Sequence, residues 1–291
     1  MTDETDTPLP RPPARDAHSH KGSYGRVLVA GGSLGMAGAP AMAALACLRS
    51  GSGLVSLATP RCVQATAAAF CPALMTHALE DYAGRFAATA GEALRRLLAD
   101  ADAGAVGPGV GRDDVLTDLL VRLYREADRP LVVDADGLNA LSQSPGALTE
   151  PGGPRVLTPH PGEFARLYGE PLNDPSDDPE RREKAAELAR RDPTGETVVV
   201  LKGARTVVTD GRRFAVNPTG NPGMATGGTG DVLTGVVASL LGQGLEPFEA
   251  ARLGAYVHGL AGDLAAEKLG QIGMIATDVI DCLPDAWRQA Q

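Results

Sequence analysis

Gly227-Gly228-Thr229-Gly230-Asp231 closes a stretch rich in Gly, Asn and Thr that begins at Asn217. It leads directly into Val232, Leu233, Val236, Val237, Leu240 and Leu241, apolar positions that make one helical stripe. Glycines let the main chain approach a ligand closely and turn several N–H groups outward, and a helix start adds partial positive charge. Residues Gly227, Gly228, Thr229 and Gly230 are therefore expected as an anion cradle, with phosphate its natural ligand. An aspartate at the mouth of such a cradle repels the anion unless it holds a metal or takes a proton from the group attacking the phosphate. Asp231 is accordingly expected as a catalytic base, the competing role being a favourable charge or cap in the first helical turn.

Familiar phosphate signatures are absent: there is no Gly-Lys dipeptide for a P-loop and no G-x-G-x-x-G. Gly31-Gly32-Ser33-Leu34-Gly35 matches the nucleophile elbow of serine hydrolases, and Asp134 or Asp136 followed by His160 or His258 satisfies the chain order of a triad. Against this, the elbow would follow the first strand, with no upstream loop for a second oxyanion donor, and it leaves residues 227–231 unexplained. Ser33 is expected to line a substrate loop instead.

Further candidates sit at strand ends, where open α/β sheets bind ligands. Lys202-Gly203-Ala204-Arg205-Thr206 suits a nucleotide contact or a solvated turn, and Gly107-Pro108-Gly109-Val110-Gly111 suits a close ligand approach or a tight turn. His160 is stiffened by Pro159 and Pro161 for a substrate contact, whereas His258, within a helical run, is expected to be structural. Asp134 and Asp136 could hold Mg²⁺ or its waters, with helix capping by Asp136 as the other possibility; no metal ligand is assigned.

Positioning these groups requires a scaffold, and the sequence shows its parts. Apolar runs at Arg26–Gly31, Leu54–Ala58, Ala103–Gly107, Leu131–Asp134, Arg155–Thr158 and Thr197–Leu201 read as strands buried on both faces. Segments with helical spacing alternate with them: Ala39–Arg49, Gly91–Ala99, Asp114–Glu126 and Glu180–Arg190. The expectation is an α/β/α three-layer sandwich with a mostly parallel sheet. Asp210-Gly211 between Arg205–Thr209 and Arg212–Val216 predicts an antiparallel hairpin with a type I′ turn. Helices Asp231–Leu241, Pro247–Leu269 and Thr277–Ala290 complete the chain, and residues 1–16 are expected as a disordered tail before a single domain at 17–291.

The 291 residues carry a net charge of −9, a field that repels polyanions and argues against nucleic acid. Four scattered cysteines without a C-x-x-C pair argue against a zinc site or disulfide framework. No apolar stretch approaches the ~20 residues of a membrane span, and a cytoplasmic location is expected.

His20-Lys21-Gly22-Ser23-Tyr24-Gly25, Asp134-Ala135-Asp136-Gly137-Leu138-Asn139, Leu157-Thr158-Pro159-His160-Pro161-Gly162-Glu163, Lys202-Gly203 and residues 217–231 together resemble the ADP-dependent NAD(P)H-hydrate dehydratases of the ribokinase-like fold. The resemblance spans about residues 18–287. It implies that the S-form hydrates of NADH and NADPH (NADHX and NADPHX) are dehydrated at the expense of ADP, giving AMP and phosphate. It further implies Mg²⁺, a homo-oligomer of tetrameric type, and a separate epimerase in the same pathway. By motif, Ala39, Gly109, His160 and Asp231 would face the hydrate, and Lys202, Gly203, Ala204, Arg205, Thr206 and Gly230 the adenine nucleotide. A ribokinase-like kinase of a small alcohol, such as hydroxymethylpyrimidine or a thiazole alcohol, is the neighbouring alternative; a nucleotide-binding sensor and a Ser33 esterase are the distant ones.

Overall fold

Aliphatic runs become strands and Ala/Leu-rich segments become helices, in regular alternation. The computed structural model, described over residues 1–290, begins with β1 (Thr2–Asp3), β2 (Arg26–Ala30), α1 (Gly38–Arg49), β3 (Leu54–Pro60), α2 (Arg61–Ala68) and β4 (Met75–Leu79). A small hairpin, β5 (Asp81–Tyr82) and β6 (Arg85–Phe86), precedes α3 (Ala90–Ala99), β7 (Ala103–Val106), α4 (Asp114–Glu126) and β8 (Leu131–Val133). Next come α5 (Asp136–Gln143), β9 (Arg155–Leu157), α6 (Pro161–Tyr168), α7 (Asp178–Ala189) and β10 (Thr197–Leu201). The chain ends with β11 (Val207–Thr209), β12 (Arg213–Val216), α8 (Thr229–Gly242), α9 (Pro247–Leu269) and α10 (Ala276–Ala290).

The main sheet runs β1-β12-β11-β10-β9-β8-β7-β2-β3-β4. Its pairings are parallel except at β10–β11 and β11–β12. Along each strand alternate side chains enter opposite layers. Val198 and Val200 join the core under α1, α8, α9 and α10, whereas Val199 and Leu201 join the core under α3 to α7. The expected three-layer sandwich is therefore the observed one. Strand order reverses between β2 and β7, so the crevice beyond their carboxyl ends is the place where such sheets take ligands. No helix among the described residues is long and apolar enough to cross a membrane.

Two expectations need correction. The hairpin exists, but Thr209 pairs with Phe214, which centres the turn on Gly211-Arg212 rather than Asp210-Gly211. Only Gly211 there has a positive φ, +83°, so the type I′ turn is excluded; Asp210 instead accepts from the N–H groups of Arg212 and Arg213. Residues 1–16, expected as a disordered tail, lie against the domain. Thr2 and Asp3 extend the sheet beside β12, and Arg252 donates to the carbonyls of Thr7 and Pro8. Composition hid this because the strap is held through its main chain, and backbone pairing tolerates Thr, Asp and Pro side chains that face solvent.

Candidate active site

Two strand ends and two helix starts converge on a single ammonium. Lys202 leaves β10, and its Nζ lies 2.8 Å from Oδ1 of Asp134, at the end of β8, and 3.8 Å from Oε2 of Glu163, in α6. The other Asp134 oxygen accepts from Oγ1 of Thr234 on α8 at 2.8 Å. A Cβ placed on Gly230 would stand 3.3 Å from Lys202 Nζ, so the ammonium sits over the first turn of α8. Burial disfavours the charged lysine, but Asp134, Glu163 and Asp231 hold it protonated and raise its pKa.

Asp231 is the third residue of α8, and the N-cap is Gly228, which contributes no side-chain bond; the capping role is thereby excluded. Gly228 has the left-handed φ of +96° that a side chain would strain. The first intrahelical bond of α8 runs from Val232 N to Gly228 O, so the N–H groups of Thr229, Gly230 and Asp231 have no intrahelical partner, the arrangement of an anion cradle. Burial pushes the Asp231 carboxyl up to about 7; Asp134 adds to the rise, Lys202 opposes it, and Glu163 and Asp136 add further repulsion. A carboxyl poised near neutral pH has the proton affinity a general base requires.

The expected nucleotide residues Lys202, Gly203, Ala204, Arg205, Thr206 and Gly230 are brought together. They line one cavity of about 530 Å³, closed on its far side by residues 217–222. Its walls are braced from outside. Buried Arg181 donates to the carbonyls of Ala204 and Arg205 at 2.8 and 3.0 Å, and Arg205, at a φ of +55°, reaches Asp178 at 2.7 Å. Asp263 of α9 accepts from Gly220 N and Asn221 Nδ2, both at 2.9 Å.

The groups expected to meet the hydrate, His160, Ala39 and Gly109, are not part of this cavity's lining. His160 caps α6: its Nδ1 accepts from Gly162 N at 3.0 Å and its own N–H donates to Glu163 Oε2 at 2.9 Å. The neutral ring thus carries its proton on Nε2. Burial, with Lys202 and Arg166 nearby, lowers its pKa. Ala39 and Gly109 are adjacent, a Cβ on Gly109 falling 3.3 Å from that of Ala39. Ser33 is buried and spends its Oγ–H on Gly109 O at 2.8 Å, which positions this loop and removes the exposed nucleophile an elbow needs.

Asp134 and Asp136 diverge rather than form a metal pair. Asp136 accepts from Gly111 N at 2.9 Å, Arg112 Nε at 2.8 Å and Asn139 Nδ2 at 3.3 Å, and no group of three ligand side chains gathers among the described residues. A Mg²⁺ ion, which favours one or two carboxylates plus substrate phosphates, would fit here only as part of a nucleotide complex, with Asp134 and Asp231 the nearest carboxylates to the cradle.

Several site residues escaped sequence reasoning. Arg181 reads there as one charge on a solvated helix face, and Thr234 as a polar break in an apolar stripe. His258, expected to be structural, lines the same cavity as Lys202 to Thr206, with a buried Nε2 that has no hydrogen-bond partner. The signal for it was Gly259 and Gly262, which lack side chains because the loop at Thr219 and Met224 packs directly on α9.

A family model described as NAD(P)H-hydrate dehydratase matches residues 27–285. The bifunctional NAD(P)H-hydrate repair enzyme of Moorella thermoacetica is 50% identical over 282 residues, covering 96% of this chain and 52% of that protein; the chain spans about half the length of the curated relatives it matches. Among solved structures, the ADP/ATP-dependent NAD(P)H-hydrate dehydratase of Bacillus subtilis, co-crystallised with ATP and Mg²⁺, aligns with a TM-score of 0.78 and 32% identity over 96% of this chain and 94% of that one. A ribokinase-like superfamily protein of Enterococcus faecalis aligns with a TM-score of 0.80 and 29% identity over 96% of this chain and 92% of its own. The fold is ribokinase-like, and the chain belongs to the NAD(P)H-hydrate dehydratase family.

Proposed function

We propose that this chain dehydrates the S-epimer of NAD(P)H hydrate to NAD(P)H, converting ADP to AMP and phosphate. The observation that carries this reading is Asp231, held near pKa 7 in the first turn of α8 beside the Lys202 ammonium. Asp231 takes the proton of the ring hydroxyl while the hydroxyl oxygen bonds the terminal phosphorus of ADP, and the bond from that phosphorus to AMP breaks. The N–H groups of Thr229 and Gly230, with Lys202, face the charge that develops on the phosphoryl oxygens. The ring nitrogen's electron pair then expels phosphate, and loss of a proton from the adjacent ring carbon restores the double bond. Bound with the nucleotide, Mg²⁺ would neutralise phosphate charge.

Ala39, Gly109 and His160 bind the hydrate in this reading, and Lys202 to Thr206 with Gly230 bind the nucleotide. The chain works as a cytoplasmic homo-oligomer, supplied by an NAD(P)H-hydrate epimerase activity. Incubation of the purified protein with ADP and each hydrate should release AMP and phosphate in equal amounts as the 340 nm absorbance of the reduced cofactor appears. A stable phosphorylated product from a small alcohol and ATP would instead support the kinase reading. Nucleotide binding without phosphate release from any of these would support the sensor.

A further inference from the structure

At the opposite ends of α1 and α8 from Ala39 and Asp231 lies a second cavity, of about 560 Å³, whose lining includes Arg11, Arg15, Arg49, Ser50, Leu253 and Trp287. Arg15 donates to Gly51 O and lies 3.9 Å over the Tyr24 ring. None of the three arginines joins an ion pair among the described residues, although the ion pairs of this chain engage many of its other arginines. In a chain with 36 acidic and 27 basic side chains, three guanidiniums gathered without a carboxylate are an uncompensated positive site. Two polar atoms of the same lining, Ser50 Oγ and Trp287 Nε1, are buried without a hydrogen-bond partner, and Ser50 as a whole is 5% exposed. Buried donors of this kind are ordinarily satisfied.

We propose that this cavity is a second ligand site, for an organic phosphate the size of a mononucleotide. Guanidinium forks match phosphate oxygens, and the partly exposed indole of Trp287 covers a planar or apolar part. Inorganic phosphate would leave that wall unused, whereas the volume lies in the range of small-molecule sites, roughly 300–1,000 Å³. The site joins three elements: the N-terminal strap through Arg11 and Arg15, the end of α1 through Arg49 and Ser50, and α10 through Trp287. The end of α1 is in turn tied to α8, Ser52 Oγ lying 2.8 Å from Ser239 Oγ and Gln243 Nε2 donating to Ser50 O at 3.0 Å. An occupant therefore clamps the foot of the two helices whose opposite ends carry Ala39 and Asp231.

Trp287 is the single tryptophan of the chain, so its fluorescence reports on this cavity directly. Titration of the full chain with uridine monophosphate at constant ionic strength should give a saturable change that uridine does not give. In R11Q/R49Q, whose unliganded melting temperature should match the parent because both side chains are exposed, the midpoint should rise at least tenfold. Lys202→Met should leave the response intact. No saturable change, or an unchanged midpoint in R11Q/R49Q, overturns the proposal. Loss of the response in Lys202→Met overturns it too, by placing the binding beside α8, and an equal response to inorganic phosphate overturns the assigned ligand size. None of these readouts depends on the dehydratase reading.

Discussion

In the proposed reaction Asp231 is the base, its carboxyl raised first by burial, with Asp134 adding to the rise and Lys202 opposing it. Replacing it with Asn keeps the cradle's N–H groups and removes the base. We expect ADP binding within a few-fold of the parent and AMP production lowered by roughly 10²–10⁴, measured by calorimetry and by single-turnover product formation. The parent's kcat/KM should rise with pH through about 7 and then level off, because only the ionised Asp231 accepts the proton; the residual rate of Asp231→Asn should lack that limb. The same residue sets a stability trend. Its folded pKa, about 7, lies above the ordinary 3.8, so between these values the folded chain keeps a proton that the unfolded chain has lost. Raising the pH through this window therefore withdraws stability. Melting curves of the unliganded proteins should coincide near pH 4, and Asp231→Asn should be the more stable above pH 7.

Helix α8 presents Asp231 at the right height only because it lies close against α1. A Cβ on Gly235 would come 2.0 Å from Ala43 O and 2.8 Å from Ala46 Cβ, and Cys47 Sγ donates to Gly235 O at 3.1 Å. Gly235→Ala should therefore push the helices apart against its own gain in helix propensity, with a net loss on the order of 1–3 kcal/mol seen as a lower midpoint in urea. It should also lower kcat, since the cradle moves with the helix. The loop at residues 202–206 is held by one buried guanidinium, and Arg181→Met leaves the carbonyls of Ala204 and Arg205 unpaired. The expected result is a KM for ADP raised about tenfold, equivalent to roughly 1.4 kcal/mol, with a much smaller change in kcat. A disturbed chemical step would instead lower kcat as strongly.

At the scale of the whole molecule the sheet places the strand-borne candidates beyond its carboxyl ends. Strands β2, β7, β8, β9 and β10 are mutually parallel in the sheet, so Ser33, Gly109, Asp134, His160 and Lys202, each just past a strand, are all delivered to the same side. The N-terminal strap covers the flank of the sheet beside β12. Thr5 Oγ1 accepts from Val216 N at 3.1 Å, and Leu9 packs on the core. Deleting residues 2–9 uncovers this surface, so we expect a loss of about 1–3 kcal/mol from lost apolar burial and unpaired groups. A melt should show a lower transition, with ADP affinity little changed. An unaltered melt would mean the strap contributes no net stability.

Much of this was legible in the chain itself, because local patterns determine what local physics controls. The aliphatic runs of β10 and the stripe of α8 announce buried elements, and the glycines of 227–230 announce a close main-chain approach. The order of the motifs from His20 to Asp231 was enough to place the family. The sequence alone could not show that Lys202, Asp134, Glu163 and Asp231 share one charge balance, since these residues are far apart in the chain and meet only when parallel strands align their ends. Nor could it show that Asp231 titrates near neutrality, because burial and neighbouring carboxylates, not residue type, set that value. The brace from Arg181, the cavity face of His258 and the docking of the first sixteen residues are tertiary for the same reason. Each depends on what a side chain or backbone meets across the fold, and no spacing along the chain encodes that.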